Sequence, residues 1–528
     1  MEHNESSGAP QPDAPDNTQE FPAYQPPPPA GHQPAPPQWA TPSAPGRSRS
    51  QNRVLVGLAI AMSLVLIIVV PAAVIGLTPV GDWIGIDDDG DNARTVIVQQ
   101  AAPPAQAPAQ NQGQGQGQAD GVDLRKGAVY VQSNDAKSNE VVALARNADG
   151  TLKEVGRYKT GGTGSGSVED NANSVVLGSV DGEAAPNHNI DNPDLLFVTN
   201  AGSNTVSVFR IKSDGLELAS VTPSGGEKPV SVTVNRGLVY VLNSGEFDDR
   251  FVVGPTSILE NCTHGQLPSI TGFRINKDGV LTEINGSTQL LSGEKESGCA
   301  QLSFTPDGKV LVATERIAGK TNPETFVSDG TFITWLVRAD GTLQNKQLIA
   351  PTGKGPFGFT FAKDGTMVVA QQNGGAAVED GGEVISYNVG EDGTLTPNGE
   401  PLGKIGTDTC WVQVTNNGKL AFASSPFGGG KITSMAVNKD GTLSLLHSAA
   451  SADDGTDANA DHVGIGILDI SLTNDSKYIY TIEILNGIVY GFRVNDNGTL
   501  TLVDQKQLFN LRPLDAGGEG GPFGIAAY

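Results

Sequence analysis

From Val198 to Leu218 the chain reads VTNAGSNTVSVFRIKSDGLEL, which is three apolar, β-forming runs separated by two turns. The second turn is an Asp-Gly pair, Asp214-Gly215. Asp-Gly and Asn-Gly pairs between such runs predict tight hairpins, because glycine readily adopts the positive φ that these turns require. The stretch therefore predicts an antiparallel sheet of short strands.

The same turn recurs through the chain after residue 121. Its copies are Asp149-Gly150, Asp214-Gly215, Asp278-Gly279, Asp340-Gly341, Asp392-Gly393, Asp440-Gly441 and Asn497-Gly498. Between them lies a second repeated pattern of two apolar strands joined by a turn, as in VSVTVNRGLVYVLN. Each repeat thus supplies about four strands, and units of this length and strand number are typical of β-propeller blades. We therefore predict an all-β chain with a seven-bladed β-propeller over residues 121–528.

The two ends of this region complement each other. Only two clear strands, AVYVQS and EVVALAR, precede the first Asp-Gly turn, and the chain ends in GPFGIAAY, which matches the opening strand GPFGFTF of another repeat. We predict that Phe523–Tyr528 forms the innermost strand of the blade whose other strands come from residues 127–158. A shared blade of this kind closes the ring and leaves no sheet edge free to add strands.

Residues 1–120 differ from the repeats in composition. Residues 1–53 are rich in proline and poor in aliphatic side chains, which predicts a disordered cytoplasmic tail. Residues 54–77 are uncharged and long enough to cross a bilayer, which predicts a transmembrane signal anchor. Arginines precede this run and aspartates follow it, so we expect a single-pass protein of the cell membrane with the propeller outside the cytoplasm. Residues 78–120, acidic and then rich in Pro, Gln and Gly, are predicted to be a flexible linker.

Charge and cysteine content narrow the range of partners. The formal net charge is -24, which disfavours nucleic acid as a partner. The three cysteines form no zinc-binding pattern, and the acidic run Asp87–Asp91 lacks the spacing of a calcium loop. We therefore predict no metal and no cofactor. The expected partners are the membrane, through residues 54–77, and a small-molecule or cell-envelope ligand. We expect the propeller to be monomeric.

Several of these repeats resemble the seven-bladed propeller lactonase family. The resemblance is carried by LLFVTNAGSNTVSVFRIKSDGLEL, LSFTPDGKVLVATE, TCWVQVT and the Asp-Gly-Thr-Leu series. This family includes a propeller type of 6-phosphogluconolactonase and the fungal 3-carboxymuconate lactonizing enzymes. The resemblance implies lactone chemistry by a His and an Arg at the start of inner strands in two blades and a Glu that ends the next strand. These positions fall here on Asn173, Ala300 and Arg316.

Glu315 and Arg316 are therefore the candidate catalytic residues. Lactone chemistry requires a proton-transfer group and a cation that stabilises developing negative charge. All three of the positions implied by the family carry a different residue in this chain, with Glu315 beside the last of them.

Four further residues are candidates for the ligand-binding mouth of the propeller, namely Asn173, Trp411, Asp461 and His462. Asp461 and His462 could act as a base or a metal ligand, although adjacent residues on a strand face opposite ways. Trp411 begins an inner strand, where it is either a packing residue or a stacking platform for a ring.

The cysteines divide into a candidate pair and a single residue. Cys262 and Cys299 are expected on the same face of neighbouring blades, where an oxidising compartment would allow a disulfide between them. Cys410 is expected to be a small buried residue without a catalytic role.

Two functions remain open from the sequence. The first is hydrolysis of a lactone or ester by a membrane-anchored, extracytoplasmic propeller. The alternative is a non-catalytic propeller that binds a cell-envelope ligand or protein. A cluster of titratable side chains at the mouth would favour hydrolysis, whereas an apolar or tryptophan-lined mouth would favour binding.

Overall fold

The computed structural model describes residues 123–166, 171–180, 193–245, 266–294, 297–320, 322, 327–375, 378–427, 430–447, 467–484, 487–509 and 523–528. Every regular element in these ranges is a strand, and the strands form seven antiparallel sheets. The prediction of an all-β, seven-bladed propeller is confirmed. The transmembrane helix predicted at residues 54–77 lies outside these ranges, and within them no helix is long and apolar enough to span a membrane.

The strands follow the chain from blade to blade. Blade 1 comprises β1 (Ala128–Gln132), β2 (Glu140–Arg146), β3 (Leu152–Lys159) and the last strand, β30 (Ile525–Ala527). Blade 2 comprises β4 (Val175–Gly178), β5 (Leu195–Asn200), β6 (Thr205–Ile211) and β7 (Leu216–Pro223). Blade 3 comprises β8 (Pro229–Asn235), β9 (Leu238–Asn243), β10 (Ser269–Ile275), β11 (Leu281–Glu283) and β12 (Gln289–Leu290).

The later blades repeat this order. Blade 4 comprises β13 (Cys299–Phe304), β14 (Val310–Glu315), β15 (Thr331–Val337) and β16 (Leu343–Ile349). Blade 5 comprises β17 (Pro356–Phe361), β18 (Met367–Gln371), β19 (Glu383–Val389), β20 (Leu395–Pro397) and β21 (Leu402–Gly403). Blade 6 comprises β22 (Trp411–Val414), β23 (Leu420–Ser425), β24 (Lys431–Val437) and β25 (Leu443–His447). Blade 7 comprises β26 (Ile467–Leu472), β27 (Tyr478–Glu483), β28 (Ile488–Val494) and β29 (Leu500–Gln507).

The two ends of the propeller meet in blade 1, as the sequence predicted. β30 pairs antiparallel with β1, with Val129 opposite Ala527 and Val131 opposite Ile525. The innermost strands contact one another in the order β30, β4, β8, β13, β17, β22, β26 and back to β30. They therefore form a closed ring around a central channel.

Each Asp-Gly turn joins the third strand of a blade to its outermost strand. In the first turn Gly150 has a φ of 89°, and Thr151 donates its N–H and its hydroxyl to Asp149 Oδ1 at 3.0 and 2.7 Å. The same pair of bonds recurs in the turns of blades 4, 5 and 6. The carboxylate fixes the turn and glycine supplies its positive φ, which explains why Asp-Gly-Thr-Leu is repeated.

Hydroxyl groups tie these turns to the preceding blades. Tyr480 of blade 7 donates to the carbonyl of Gly150 in blade 1 at 2.7 Å, and Tyr240 of blade 3 donates to that of Gly341 in blade 4 at 2.9 Å. Equivalent bonds run from Thr334 to Gly393 (2.8 Å), from Ser386 to Gly441 (2.5 Å) and from Ser220 to Gly279 (2.6 Å). Neighbouring blades are thus joined by hydrogen bonds as well as by their apolar faces.

The innermost strands leave one edge unpaired, and this edge faces the channel. Side chains from neighbouring inner strands cover part of it. Ser231 Oγ of β8 accepts the N–H of Leu302 at 3.1 Å, and Ser471 Oγ of β26 accepts the N–H of Ala527 at 2.9 Å. Because a buried N–H without a partner is costly, polar side chains are retained along these otherwise apolar strands.

Candidate functional site

Arg316 lies at one mouth of the channel. It follows the last residue of β14, and its backbone N–H donates to the carbonyl of Gly298 at 3.0 Å. The guanidinium carbon lies 5.5 Å from the centroid of the Phe357 ring, in a cation–π contact, and the residue is 0% exposed. The fold therefore holds a buried guanidinium at this mouth.

Two aromatic residues extend from Arg316 across the mouth. The rings of Phe357 and Trp411 meet edge to face with centroids 5.2 Å apart. Trp411 Nε1 donates to the carbonyl of Asn171 at 2.9 Å, and Trp411 is 2% exposed. Trp411 of blade 6 thus contacts the segment that leads into blade 2, and Phe357 of blade 5 links Trp411 to Arg316.

This segment, Asn171–Asn173, crosses the mouth and touches several blades. The N–H of Ala172 donates to the carbonyl of Ala300 in blade 4 at 3.0 Å, and Asn173 accepts the N–H of Val232 in blade 3 at 2.9 Å. Asn173 has a φ of 67°, a left-handed conformation that asparagine tolerates better than most residues. We call Asn171–Asn173, Ala300, Arg316, Phe357 and Trp411 the mouth cluster. It brings together three of the predicted residues, Asn173, Arg316 and Trp411.

Glu315 has different neighbours from Arg316. Its Oε1 accepts the Ser297 hydroxyl at 2.7 Å, and its Oε2 accepts the Ser292 N–H at 3.3 Å. Burial raises the pKa of Glu315, and the bonds from Ser292 and Ser297 oppose that rise. Burial lowers the pKa of Lys346 on the outer strand β16, and the negative charge of Glu315 opposes that change. Glu315 therefore faces polar groups within its blade and its neighbour, while Arg316 faces the aromatic residues of the mouth.

Asp469 is a further candidate that the sequence did not single out. It lies in β26, where its Oδ1 accepts the N–H of Ile470 at 3.0 Å and its Oδ2 accepts that of Ile525 at 3.4 Å. The residue is 7% exposed, and burial raises its pKa to about 7 against the lowering effect of these two bonds. The signal was present in the alignment of the repeats, because Asp469 stands at the position of Trp411 in the preceding blade.

The remaining predicted residues fall into two groups. Asp461, His462 and Cys262 lie outside the described residues. Cys299 is disulfide-bonded, and Cys410 is a buried thiol whose Sγ donates to the carbonyl of Asp408 at 3.1 Å. Because Cys262 lies outside the described residues, the pairing of Cys299 with Cys262 stays a prediction. Across the part of the chain that the structure describes, no group of three or more His, Cys, Asp or Glu residues could hold a metal ion.

Comparison with known proteins adds structural neighbours. No protein-family model and no curated protein matches the chain. The periplasmic gluconolactonase of Pseudomonas aeruginosa superposes with a TM-score of 0.52 and 14% identity, covering 76% of this chain and 98% of that one. A protein of Bacteroides uniformis, provisionally named a 6-phosphogluconolactonase, superposes with a TM-score of 0.51 and 15% identity, covering 76% and 99%. The chain therefore has the seven-bladed fold of 6-phosphogluconolactonase-like and related lactonase propellers.

Proposed function

We propose that this propeller hydrolyses a lactone or ester at the mouth of its channel, with Arg316 stabilising the developing negative charge. The observation that carries the proposal is the fully buried guanidinium of Arg316 at the mouth, in a fold that also occurs in a periplasmic gluconolactonase. Burying a charge is costly, and a cation held at a channel mouth is well placed to meet an oxyanion.

The reaction requires a base as well as a cation. In the proposed step, water attacks the carbonyl carbon, the carbonyl oxygen becomes an oxyanion, and the Asp469 carboxylate takes a proton from the water. The ester C–O bond then breaks, and the leaving oxygen takes up that proton to give a hydroxy acid from a lactone. Asp469 holds on β26 the inner-strand position that Trp411 of the mouth cluster holds on β22. Burial raises its pKa to about 7, so the group is partly ionised at neutral pH.

We also propose that residues 54–77 anchor the chain in the cell membrane with the propeller outside. Two observations support an oxidising, extracytoplasmic compartment. Cys299 is disulfide-bonded, and disulfides persist mainly outside the cytoplasm. The Pseudomonas aeruginosa relative is named as periplasmic.

The test is acid release followed in a pH-stat. The full chain, extracted from the membrane fraction in a mild detergent, is assayed with aldonolactones, γ-lactones and simple esters. We expect saturable turnover, and we expect Arg316→Gln to lower kcat by about 10²–10³-fold, as loss of an oxyanion donor does in other hydrolases. Arg316→Lys should retain part of the activity, because it keeps the charge but loses the planar fork.

Arg493→Gln is the matched control for this experiment. Arg493 is an exposed arginine of blade 7 that donates to Asn495, so its loss should leave kcat unchanged. Circular dichroism of each variant shows whether the propeller still folds. Turnover that survives in a folded Arg316→Gln variant would overturn the site, and recovery of the chain in the soluble fraction would contradict the anchor.

A non-catalytic binding propeller is the second candidate, and the closed mouth favours it. Phe357 and Trp411 are buried, and Asn171–Asn173 crosses the opening above the channel. No acid release from any of the three substrate classes, together with a change in tryptophan fluorescence on adding a lactone, would support this candidate over hydrolysis.

A further inference from the structure

A second cleft lies between blades 3 and 4, at the opposite end of the strands from the mouth cluster. Lys309 lines it just before β14 begins, whereas Arg316 follows the end of that strand. The cleft has a volume of about 270 Å³ and is formed by the turns after β8, β13 and β15. Four of its lining residues are cations, namely Arg236, Arg274, Lys309 and Arg338.

Two of these cations bind only neutral acceptors among the described residues. Arg274 donates to the carbonyl of Ala339 at 3.2 Å and Arg338 to the side-chain oxygen of Gln344 at 2.8 Å, and both acceptors are neutral. Within the described ranges neither arginine forms a salt bridge. By contrast, Lys309 is paired with Glu391 at 2.8 Å and with Asp307 of the cleft at 3.5 Å.

The carboxylates of Asp307 and Asp340 near the cleft accept hydrogen bonds from residues of their own turns. Asp307 accepts the Thr305 hydroxyl at 2.7 Å, and Asp340 accepts the Thr342 hydroxyl at 2.7 Å. Burial acts to raise the pKa of Asp307, but the bonds from Thr305 and Lys309 outweigh it and the pKa is lowered. The bonds from Thr342 and the nearby arginines lower the pKa of Asp340 against the effect of burial. In a chain whose formal net charge is -24, the cleft is a local concentration of positive charge.

A buried amide lies against this positive charge. Asn235, the last residue of β8, lines the cleft and is 4% exposed. Neither its side-chain nitrogen nor its side-chain oxygen has a hydrogen-bond partner among the described residues. Leaving a buried donor and acceptor unpaired is costly, so the amide indicates a ligand with polar groups of its own.

We infer that this cleft binds the carboxylate or phosphate group of a small hydroxylated molecule. Arg274 and Arg338 would bind the anionic oxygens, for which the guanidinium fork is suited. Asn235 would donate to or accept from a neighbouring hydroxyl group. The volume lies just below the range of about 300–1,000 Å³ typical of sites for drug-sized ligands, which restricts the occupant to a small molecule. The inference does not depend on the proposed hydrolysis, which is placed at the other end of the channel.

Isothermal titration calorimetry on the full chain tests this inference. The probes are inorganic phosphate, glycolate and gluconate, with glucose as the neutral control. We expect saturable binding of phosphate or gluconate that weakens as sodium chloride is added. Gluconate binding more tightly than glycolate and phosphate would identify a hydroxylated carboxylate, and the reverse order would identify a phosphate group. Glucose should not bind.

Substitutions of the cleft residues test whether the anion binds in this cleft. Arg274→Gln and Arg338→Gln should each weaken binding about tenfold or more, the usual effect of losing a hydrogen bond to a charged group. Asn235→Asp keeps the shape of the side chain but adds a negative charge, so it should abolish binding. Rates of lactone hydrolysis should not change in these variants, which separates this site from the mouth cluster.

Arg210→Gln is the matched control. Arg210 is the equivalent arginine of the preceding blade, where it is paired with Glu217 at 3.1 Å, and its loss should leave binding intact. Melting temperatures show whether each variant is folded. The inference is overturned if none of the three anions gives a saturable signal, or if Arg210→Gln weakens binding as much as Arg274→Gln does.

Discussion

Asp469 is buried at the channel edge of β26, and its pKa is raised from 3.8 to about 7. The folded state therefore holds this proton more tightly than the unfolded state does. Below about pH 4 the carboxyl group is neutral in both states and carries no penalty. As the pH rises from 4 to 7 the unfolded state ionises first, so the stability falls, and the full cost is present above pH 7.

Asp469→Asn should remove this pH dependence. Between pH 5 and pH 8 the parent chain should lose about 3 kcal/mol of unfolding free energy that the variant does not lose. This is about 1.4 kcal/mol for each of the roughly two pH units between pH 5 and the raised pKa. Denaturant unfolding curves at the two pH values measure the change.

The matched control for Asp469→Asn lies in the same hairpin. Hydrogen bonds from Thr473 and Lys477 lower the pKa of Asp475 against the effect of its partial burial. Asp475→Asn should therefore lose stability relative to the parent as the pH rises from 2 to 5, which is the opposite sign. An unchanged pH dependence in Asp469→Asn would show that Asp469 is not the group responsible.

The sequence predicted some of these residues and not others, for a physical reason. Counting from the repeated turns predicts the places of Asn173, Arg316 and Trp411, which lie before β4, directly after β14 and at the start of β22. The different surroundings of Glu315 and Arg316 could not be found that way, because the contacts of two adjacent side chains depend on the neighbouring blades. Asp469 was missed because its raised pKa arises from burial, which is a property of the closed ring.

The Asp-Gly turns and the hydroxyl groups that bind them are a recurring device for joining blades. Ser386 on β19 donates to the carbonyl of Gly441 in the next blade at 2.5 Å. Ser434 holds the equivalent position on β24, but its hydroxyl is buried and has no partner among the described residues. Ser386 also accepts the side-chain N–H of Asn398 at 3.0 Å, so the same change at the two serines measures the two bonds that Ser386 forms.

Ser386→Ala should destabilise the propeller by about 1 kcal/mol or slightly more, because the variant also leaves the Gly441 carbonyl without this donor. Ser434→Ala should be neutral or slightly stabilising, because it removes a buried hydroxyl that forms no hydrogen bond with the described residues. Thermal unfolding of the two variants side by side measures the difference. Equal losses would mean that the bond from Ser386 contributes nothing beyond packing.

The number of outermost strands in some blades differs from the number that the sequence repeat predicts. The pattern predicts about four strands in each blade, and within the described ranges blades 1, 2, 4, 6 and 7 have four. In blades 3 and 5 the outermost strand is divided into two short pieces, β11 with β12 and β20 with β21, that pair with the same third strand. Gly286 and Gly399, with φ of 76° and 86°, lie at these interruptions. A glycine in a strand shifts the pairing locally without changing the fold.

The closed ring organises the whole molecule. It depends on β30, whose side chains are nearly all buried although it ends the chain. Phe523 and Tyr528 pack into the clusters on either side of blade 1, and Tyr528 also donates its hydroxyl to the carbonyl of Leu124. Because β30 supplies the inner edge of blade 1, the same short strand positions Ile525 against Asp469 and completes the wall of the channel.

Deleting residues 523–528 should therefore open the ring. The deletion exposes the edge of β1 and removes three large buried side chains, those of Phe523, Ile525 and Tyr528, at about 1.5–3 kcal/mol for each. We expect a much lower melting temperature and concentration-dependent association through the open edge, measured by differential scanning calorimetry and light scattering. Tyr528→Phe is the control, since it loses one hydrogen bond worth about 1 kcal/mol and should keep the association state of the parent. A truncated chain that melts like the parent would show that the propeller is stable with blade 1 lacking its innermost strand.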